Sequence, residues 1–453
     1  MDKNKEWAVK NKLIGIFNIV IDDSGDITEI DGGKIGEAIT LVIPEGVIIS
    51  PGTMFKLKGH VKIIWGRDTL TKDILKGMFK DNVFLESIIM ESGDSIKSKN
   101  YVWLKSMFEG CQHLVSVDMS GISIECTYCD MDSLFEWCER LQNVEIFKVN
   151  SNKCSIAKMF KGCSSIKSVD LSCASLGKIE YIDNVFNGCS AICGISINCL
   201  DVSECTSFTS CFSGCVNLER IDISSWITTK AYDMEGMFKG CKKLEYVYAG
   251  NIDTRKVSDA SAMFKGCSSL KYIDIPFQFF RISDMSYMFS GCSRILYVDT
   301  SRWNIGINTS EKVLMLDMFE SCHRLKYLDV NIPCKYNARV TLLISGCYDI
   351  EYVGIKCNEC DCSFLTGFVN DVKKLKYINL YDTDVEGNKI GNIHGRINVY
   401  SKHALTDMAN MSRYTIRLVE KDTMDKVKGQ YINKYAKEYS HDAKWNGIVF
   451  YQD

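Results

Sequence analysis

The chain has 453 residues and a mass of 51.3 kDa, enough for two or three ordinary domains or for one elongated array. A formal net charge of -3 with 25% charged residues excludes a generally basic surface of the kind that holds nucleic acid or an anionic membrane. Only 4 prolines exclude proline-rich stalks, and no apolar run approaches the roughly 20 residues of a membrane helix.

The N-terminal stretch MDKNKEWAVKNKLIGIFNIVIDDSG sets lysines ahead of an apolar run from Leu13 to Ile21. Asn18 interrupts that run and no small-x-small cleavage site follows, so it does not read as a signal peptide. Residues 1–35 read instead as an N-terminal cap. Beyond them the chain repeats itself. SMFEGCQHLVSVDMS carries Phe108, KMFKGCSSIKSVDLS carries Phe160 and AMFKGCSSLKYIDIP carries Phe264. Phe135, Phe186, Phe212, Phe238, Phe289 and Phe319 stand at the same place in their own copies. Phe55 and Phe79 upstream, and Ile344 and Val369 downstream, mark degenerate members. The period of about 25 or 26 residues gives about thirteen coils, the signature of a solenoid.

Each coil carries two patterns. Asp233, Asp259 and Asp284 are placed to cap a short helix ahead of the Phe. Met285, Met288, Phe289 and Cys292 then follow at i, i+3, i+4, i+7, one face of such a helix, and the Gly before the Cys stops it. After the turn, Leu270, Ile273 and Ile275 alternate with polar residues, which predicts a strand. One strand and one short helix per coil, stacked in line, give a parallel sheet on one face and helices on the other.

Ten of the 22 cysteines fall at one repeat position: Cys111, Cys138, Cys163, Cys189, Cys215, Cys241, Cys267, Cys292, Cys322 and Cys347. A residue needed in every coil is explained by packing rather than by pairing. Cys is small, readily buried, and a weak S–H donor able to face turn carbonyls. The ladder is expected to be reduced and buried, which suits a reducing compartment.

The cassette resembles the BspA-like leucine-rich repeats, whose signature runs roughly VTDMSxMFxGCxxLxxLDLSxW. ISDMSYMFSGCSRILYVDTSRW, residues 282–303, follows it nearly residue by residue, IDISSW keeps its tryptophan as Trp226, and LVIPEGVIISPGTMF (41–55) looks like the related form with an IPEGV turn. The resemblance runs over roughly residues 36–381. It implies an α/β repeat fold, a right-handed leucine-rich-repeat solenoid, and adhesion or protein binding rather than catalysis. The array is taken as 36–390. Residues 391–453 lose the cassette and gain charge, reading as a C-terminal cap or a docking segment for another subunit.

Outward positions of the strand carry the binding clue. The residue equivalent to Tyr272 runs Ser116, Asn143, Ser168, Gly194, Arg220, then Tyr246, Tyr272, Tyr297, Tyr327, Tyr352 and Tyr377. An acidic stripe with Asp274, Asp299 and Asp329 lies beside it. Tyr is a good strand former and stacks on cross-strand copies, which would account for the column without a ligand. Yet the first half of the array manages with Ser, Asn and Gly, so the fold does not demand Tyr. Tyrosine supplies rigid contact area with a polar tip and is favoured at interfaces. The column and its acids are therefore the candidate site for a protein or glycan partner.

Other constellations are weaker. Cys357, Cys360 and Cys362 have zinc-knuckle spacing without a completing pair or histidine, and Cys126 and Cys129 lie on distant coils. Cys322 and His323 are adjacent and so point apart. No phosphate loop, GxSxG or HExxH occurs. No cofactor, metal, catalytic residue, nucleic-acid partner or membrane insertion is expected. The reading is a non-enzymatic recognition or adhesion protein. A virion component or an intracellular adaptor docking through its caps is favoured over a secreted adhesin, since no export signal or anchor is evident.

Overall fold

The structure, a computed structural model, describes residues 3–14, 17–171, 175–250, 252–271, 273, 275, 277–300, 303–305, 313–332, 338–341, 343–357 and 377–381. They form two compact units, Met1–Ser269 and Leu270–Asp453. The chain is a β-solenoid of about 11 turns with a mostly parallel sheet and few helices.

The first unit opens with helix α1 (Lys3–Ile14) and strand β1 (Phe17–Ile21), which runs antiparallel to β2 (Ile27–Ile43). The rest is parallel: β3 (Ile49–Trp65), β4 (Leu85–Lys97), β5 (Tyr101–Trp103), β6 (Ser116–Asp130), β7 (Asn143–Glu145) and β8 (Lys148–Ser155). With β10 (Lys178–Tyr181), which follows the short β9 (Ser168–Asp170), they complete a nine-stranded sheet ordered β1-β2-β3-β4-β6-β8-β10, with β5 and β7 also paired to β6. Then β11 (Gly194–Ser196) pairs β9, and β12 (Arg220–Asp222) pairs β13 (Tyr246–Tyr248). α1 lies against the first strands: the Asn4 amide donates to the carbonyls of Gly25 and Ile48, and the Trp7 indole to that of Val42, 3.2 Å away.

The second unit holds β14 (Gln278–Phe279), β15 (Tyr297–Asp299), β16 (Asn304–Ile305), β17 (Val313–Leu316), β18 (Tyr327–Ile332), β19 (Ala338–Thr341), β20 (Tyr352–Cys357) and β21 (Tyr377–Tyr381). Four of these form one parallel sheet, β15-β18-β20-β21.

The expected short helix of each coil is absent: α1 is the one helix among the described residues. The Met-Phe-Gly-Cys segment is a chain of tight turns. Residues two before and two after the column Phe adopt left-handed backbone, as Ser106 (φ 59) and Gly110 (φ 76) do around Phe108, and Asn184 (φ 57) and Gly188 (φ 80) around Phe186. Such residues stop a right-handed helix. The hydrogen bonds show what replaces it. Ser106, Phe108 and Gly110 donate to Asp132, Leu134 and Glu136 of the next coil, while Met107, Glu109 and Cys111 close turns onto the third residue back. A helix would spend every N–H inside itself. Alternation leaves half of them to bind the neighbouring coil, and the i, i+3, i+4, i+7 apolar positions still turn inward.

The cap aspartates therefore serve turns rather than helices. Asp233, Asp259 and Asp284 each accept the N–H two residues on, from Glu235, Ser261 and Ser286.

The core is a set of columns. In the first unit Phe79, Phe108, Phe135, Phe160, Phe186, Phe212, Phe238 and Phe264 stand one above the next with ring centroids 5.1–5.8 Å apart. Phe289 and Phe319 do the same in the second, and Ile344 fills the position there, fully buried. Beside the Phe column runs the cysteine ladder, free and buried. Nine of its thiols donate to the Phe carbonyl of the preceding coil, among them Cys111 to Phe79, Cys163 to Phe135 and Cys189 to Phe160, at 3.0–3.1 Å. That carbonyl already accepts an N–H of its own coil, from Asn82 at Phe79, Cys138 at Phe135 and Cys163 at Phe160. The thiol takes the second lone pair, so Cys is the residue small enough and polar enough for the place.

Three coils hold another residue in the left-handed position where Gly is usual: Asp81 (φ 58), Trp137 (φ 63) and Ser321 (φ 58). The Trp137 ring lies against Gly162, with the Lys161 ammonium 5.2 Å from the ring centre. A Cβ on Gly162 would come within 2.4 Å of that ring, on a backbone at φ +78. Gly162→Ala is expected to cost about 2–3 kcal/mol, from the clash and the left-handed strain together. Gly188→Ala, where the nearest atoms are 3.6 Å away, should cost about 1 kcal/mol from strain alone. Urea unfolding of both variants checks the difference; equal losses would remove the tryptophan from the explanation.

Candidate recognition surface

Where column residues fall on paired strands among the described residues, their register is the one read from the sequence. Ser116 pairs Asn143, Ser168 pairs Gly194, and Arg220 pairs Tyr246. In the second unit Tyr297, Tyr327, Tyr352 and Tyr377 occupy one line across β15, β18, β20 and β21. Inward Val117, Val169 and Ile221 force their neighbours outward, as period-two alternation requires.

Exposure is less uniform than register. Tyr246 and Tyr297 are half-buried. The Arg220 guanidinium stands 5.8 Å from the Tyr246 ring centre, a cation–π arrangement. Tyr297 stacks on Tyr327 at 4.8 Å. Tyr327, expected on the surface, is fully buried, and so is Asp329 at 2% exposure. β18 is a central strand, flanked by β15 and β20, with the Tyr297 ring covering one side of Tyr327. The Tyr327 hydroxyl meets the Asp329 carboxylate at 3.4 Å, so the two polar tips answer each other. Tyr272 and Asp274 lie outside the described residues, as do the side chains of Asp299, Tyr352 and Tyr377.

At the register of the acidic stripe, Asp118 and Asp222 bend back onto the chain. Each accepts the N–H and the hydroxyl of the serine two residues on, Ser120 and Ser224. The Ser224 bonds hold the Asp222 carboxyl below the usual carboxylate range. Here the acidic position builds a turn.

The remaining candidates separate cleanly. Cys322 is buried on the Phe289 carbonyl, while His323 stacks on Tyr348 at 5.2 Å, so they form no dyad. Among the described residues no group of three or more His, Cys, Asp or Glu side chains can hold a metal ion. Cys360 and Cys362 lie outside them, as does the side chain of Cys357.

Sequence reasoning placed one strand in each coil and missed a second. β5, β6, β8 and β10 continue past a corner, where Tyr101 pairs Tyr128 and Cys129 pairs Cys154. The signal was available in Ile122, Ile124 and Cys126, which alternate with polar residues and are buried. On this face Tyr101 and Trp103 stack with ring centres 5.6 Å apart and are 51% and 42% exposed.

Stacked coils, a column of cassette phenylalanines and a parallel strand register define a leucine-rich-repeat solenoid. Residues 72–204 match the family model for the BspA type leucine rich repeat region, in 6 copies. Residues 154–275 and 247–333 match the model described as a Mycoplasma protein of unknown function, DUF285. Similar solved structures include a leucine-rich repeat protein of Bacteroides ovatus, 15% identical, with a TM-score of 0.40 over 82% of this chain and 98% of that one. The leucine-rich repeat protein of T. pallidum is 16% identical with a TM-score of 0.27 over 51% and 88%, and one from Leptospira interrogans is 10% identical with 0.24 over 73% and 72%. No curated protein matches the chain.

Proposed function

We propose that the chain is a non-enzymatic recognition or adhesion protein that offers an extended solenoid surface to a protein or glycan. The observation that carries this is the tyrosine line. Tyr297, Tyr327, Tyr352 and Tyr377 keep one register through four strands, whereas Ser116, Asn143, Ser168, Gly194 and Arg220 hold that register elsewhere. Stacking permits tyrosine there but does not require it. Half-buried Tyr246 in the first unit and half-buried Tyr297 in the second are the contact residues best supported, and Tyr272, Tyr352, Tyr377, Asp274 and Asp299 are proposed as contacts as well. Buried Tyr327 and Asp329 would position the column rather than touch a partner. In the same proposal the solenoid is right-handed, numbers thirteen coils when its degenerate members are counted, and carries caps at 1–35 and 391–453. The packing of α1 through Asn4 and Trp7 favours a second reading, in which the array is an assembly part or adaptor, such as a virion component, docked through its ends.

The test compares the full chain with Tyr246→Ser/Tyr297→Ser on a glycan array and on immobilised extracellular-matrix proteins. The double variant should melt within a few degrees of the parent and lose at least about tenfold in affinity for whichever probe binds. Binding that survives the double substitution would reject the tyrosine line, and silence of the parent on both probe sets would favour the assembly reading.

A further inference from the structure

The corner of β6 holds a group of cysteines that is separate from the Phe-column ladder. Cys126 and Cys129 lie three residues apart on β6, and Cys129 pairs in register with Cys154 on β8. In a regular strand, residues three apart face opposite sides of the sheet. Here the Thr127 and Tyr128 N–H groups both donate to the Asn100 carbonyl, each at 3.1 Å, so the backbone turns between them. Cys126 and Cys129 are both buried, with exposed Thr127 and half-buried Tyr128 between them. Both thiols are free, and they share a hydrogen bond.

The two thiols are not equivalent. Cys126 keeps 9% of its surface in solvent, whereas Cys129, Cys154 and the ladder thiols keep none. The Cys129 hydrogen bond holds Cys126 below the ordinary thiol range, against the effect of burial. That same bond, and burial after it, raise Cys129. A more acidic thiol at the surface beside a buried, protonated one divides the work as an attacking and a resolving cysteine do. The ladder's own thiol-to-thiol pairs differ. Cys215 with Cys241, and Cys322 with Cys347, are fully buried and donate to Phe carbonyls.

We propose that Cys126 and Cys129 are a redox-active dithiol, a modification site that takes low-molecular-weight disulfides as its oxidant. The Cys126 thiolate attacks one sulfur of the small disulfide, so that a mixed disulfide forms and a small thiolate leaves. Cys129 then gives its proton to solvent and attacks the Cys126 sulfur. The intrachain disulfide closes and the second small thiolate leaves. The protein gives up two electrons and two protons, and the small disulfide becomes two thiols. Capture of Cys126 also removes the neighbour that keeps Cys129 protonated, which readies it for the second step. The site goes beyond the recognition reading and does not depend on Tyr246 or Tyr297. In a reducing compartment the pair stays open; in an oxidising one it closes while the buried ladder stays reduced.

The full chain, reduced and freed of reductant, is equilibrated at neutral pH with bis(2-hydroxyethyl) disulfide, a neutral probe. It is then unfolded, alkylated with N-ethylmaleimide and mapped by peptide mass spectrometry. The expected product is a Cys126–Cys129 disulfide, with Cys111 and Cys163 recovered as alkylated thiols. Cys129→Ser should stop the reaction at a mixed disulfide on Cys126, and Cys126→Ser should slow modification of Cys129 at least about a hundredfold. The map of the parent alone decides the pairing, whatever the stability of the variants. A Cys129–Cys154 disulfide in the parent, Cys129 modified as fast without Cys126, or a folded parent in which Cys126 and Cys129 both remain thiols would each overturn the proposal.

Discussion

Raising the pH should unfold the first unit abruptly, within about two units above pH 9. Burial pushes the Cys111 thiol up to about 12, and desolvation raises Cys138, Cys163, Cys189 and Cys215 above the ordinary thiol range as well. In an unfolded chain these thiols ionise near 8.5. Between that value and the raised native one, the unfolded state holds fewer protons than the native state, so stability falls as pH rises. It is intact below about pH 8.5. Each thiol removes about 1.4 kcal/mol per pH unit in the window, and the five together roughly 7 kcal/mol per unit, against a typical total of 5–15 kcal/mol. Thiolate absorbance and loss of near-ultraviolet circular dichroism should therefore rise together in one steep transition. A variant with Cys163→Ala and Cys189→Ala should show a shallower dependence, even though each loses a thiol–carbonyl bond. Thiolate appearing gradually while the fold persists would overturn the idea that burial keeps the ladder protonated.

Phe186→Ala should cost about 4 kcal/mol or more. Phe186 is 1% exposed and lies between Phe160 at 5.6 Å, nearly parallel at 3°, and Phe212 at 5.8 Å. The substitution removes a large buried side chain, opens a cavity between two coils and breaks two aromatic contacts. Phe186→Ile should cost far less, about 1–2 kcal/mol, because Ile344 shows that a branched aliphatic side chain can fill this column position. Because stacked repeats hold one another through nearest neighbours, the loss should appear as a lower denaturant midpoint for the first unit. Equal losses for the two variants would mean that ring stacking, not filled volume, is what the column requires.

Much of this architecture was written plainly in the chain. The cassette repeats because each coil meets a near-copy of itself, and one period located the Phe column, the Cys ladder and the pairing of Tyr297 with Tyr327 together. The S–H donor role of cysteine also followed from residue chemistry, and the Phe79, Phe135 and Phe160 carbonyls accept it. The helix did not follow, because i, i+3, i+4, i+7 spacing fits a run of three-residue turns as well as it fits a helix. What separates them is handedness at Ser106, Asn184 and Ala262, residues without a strong left-handed preference among them except Asn. At Ser106 and Asn184 that conformation aims the N–H at the carbonyls of Asp132 and Thr209 on the next coil, a constraint no local window contains. The burial of Tyr327 escaped for a similar reason: alternation assigns a side of the sheet but not what covers it. The second strand was missed because the repeat drew attention to the cassette and away from Ile122, Ile124 and Cys126.

The alternating turns have an electrical consequence. Along the turn segment of the first unit the N–H groups of one coil point at the carbonyls of the next, from Gly77, Phe79 and Asp81 through Met234, Gly236, Phe238 and Gly240. Their peptide dipoles add in phase down that side of the stack, much as they do along an α-helix but with the carbonyl ends toward the chain's start. The early end of the turn face should therefore draw cations and the late end anions. Such a stack has a direction as well as a shape, and a partner that senses charge can tell one end from the other.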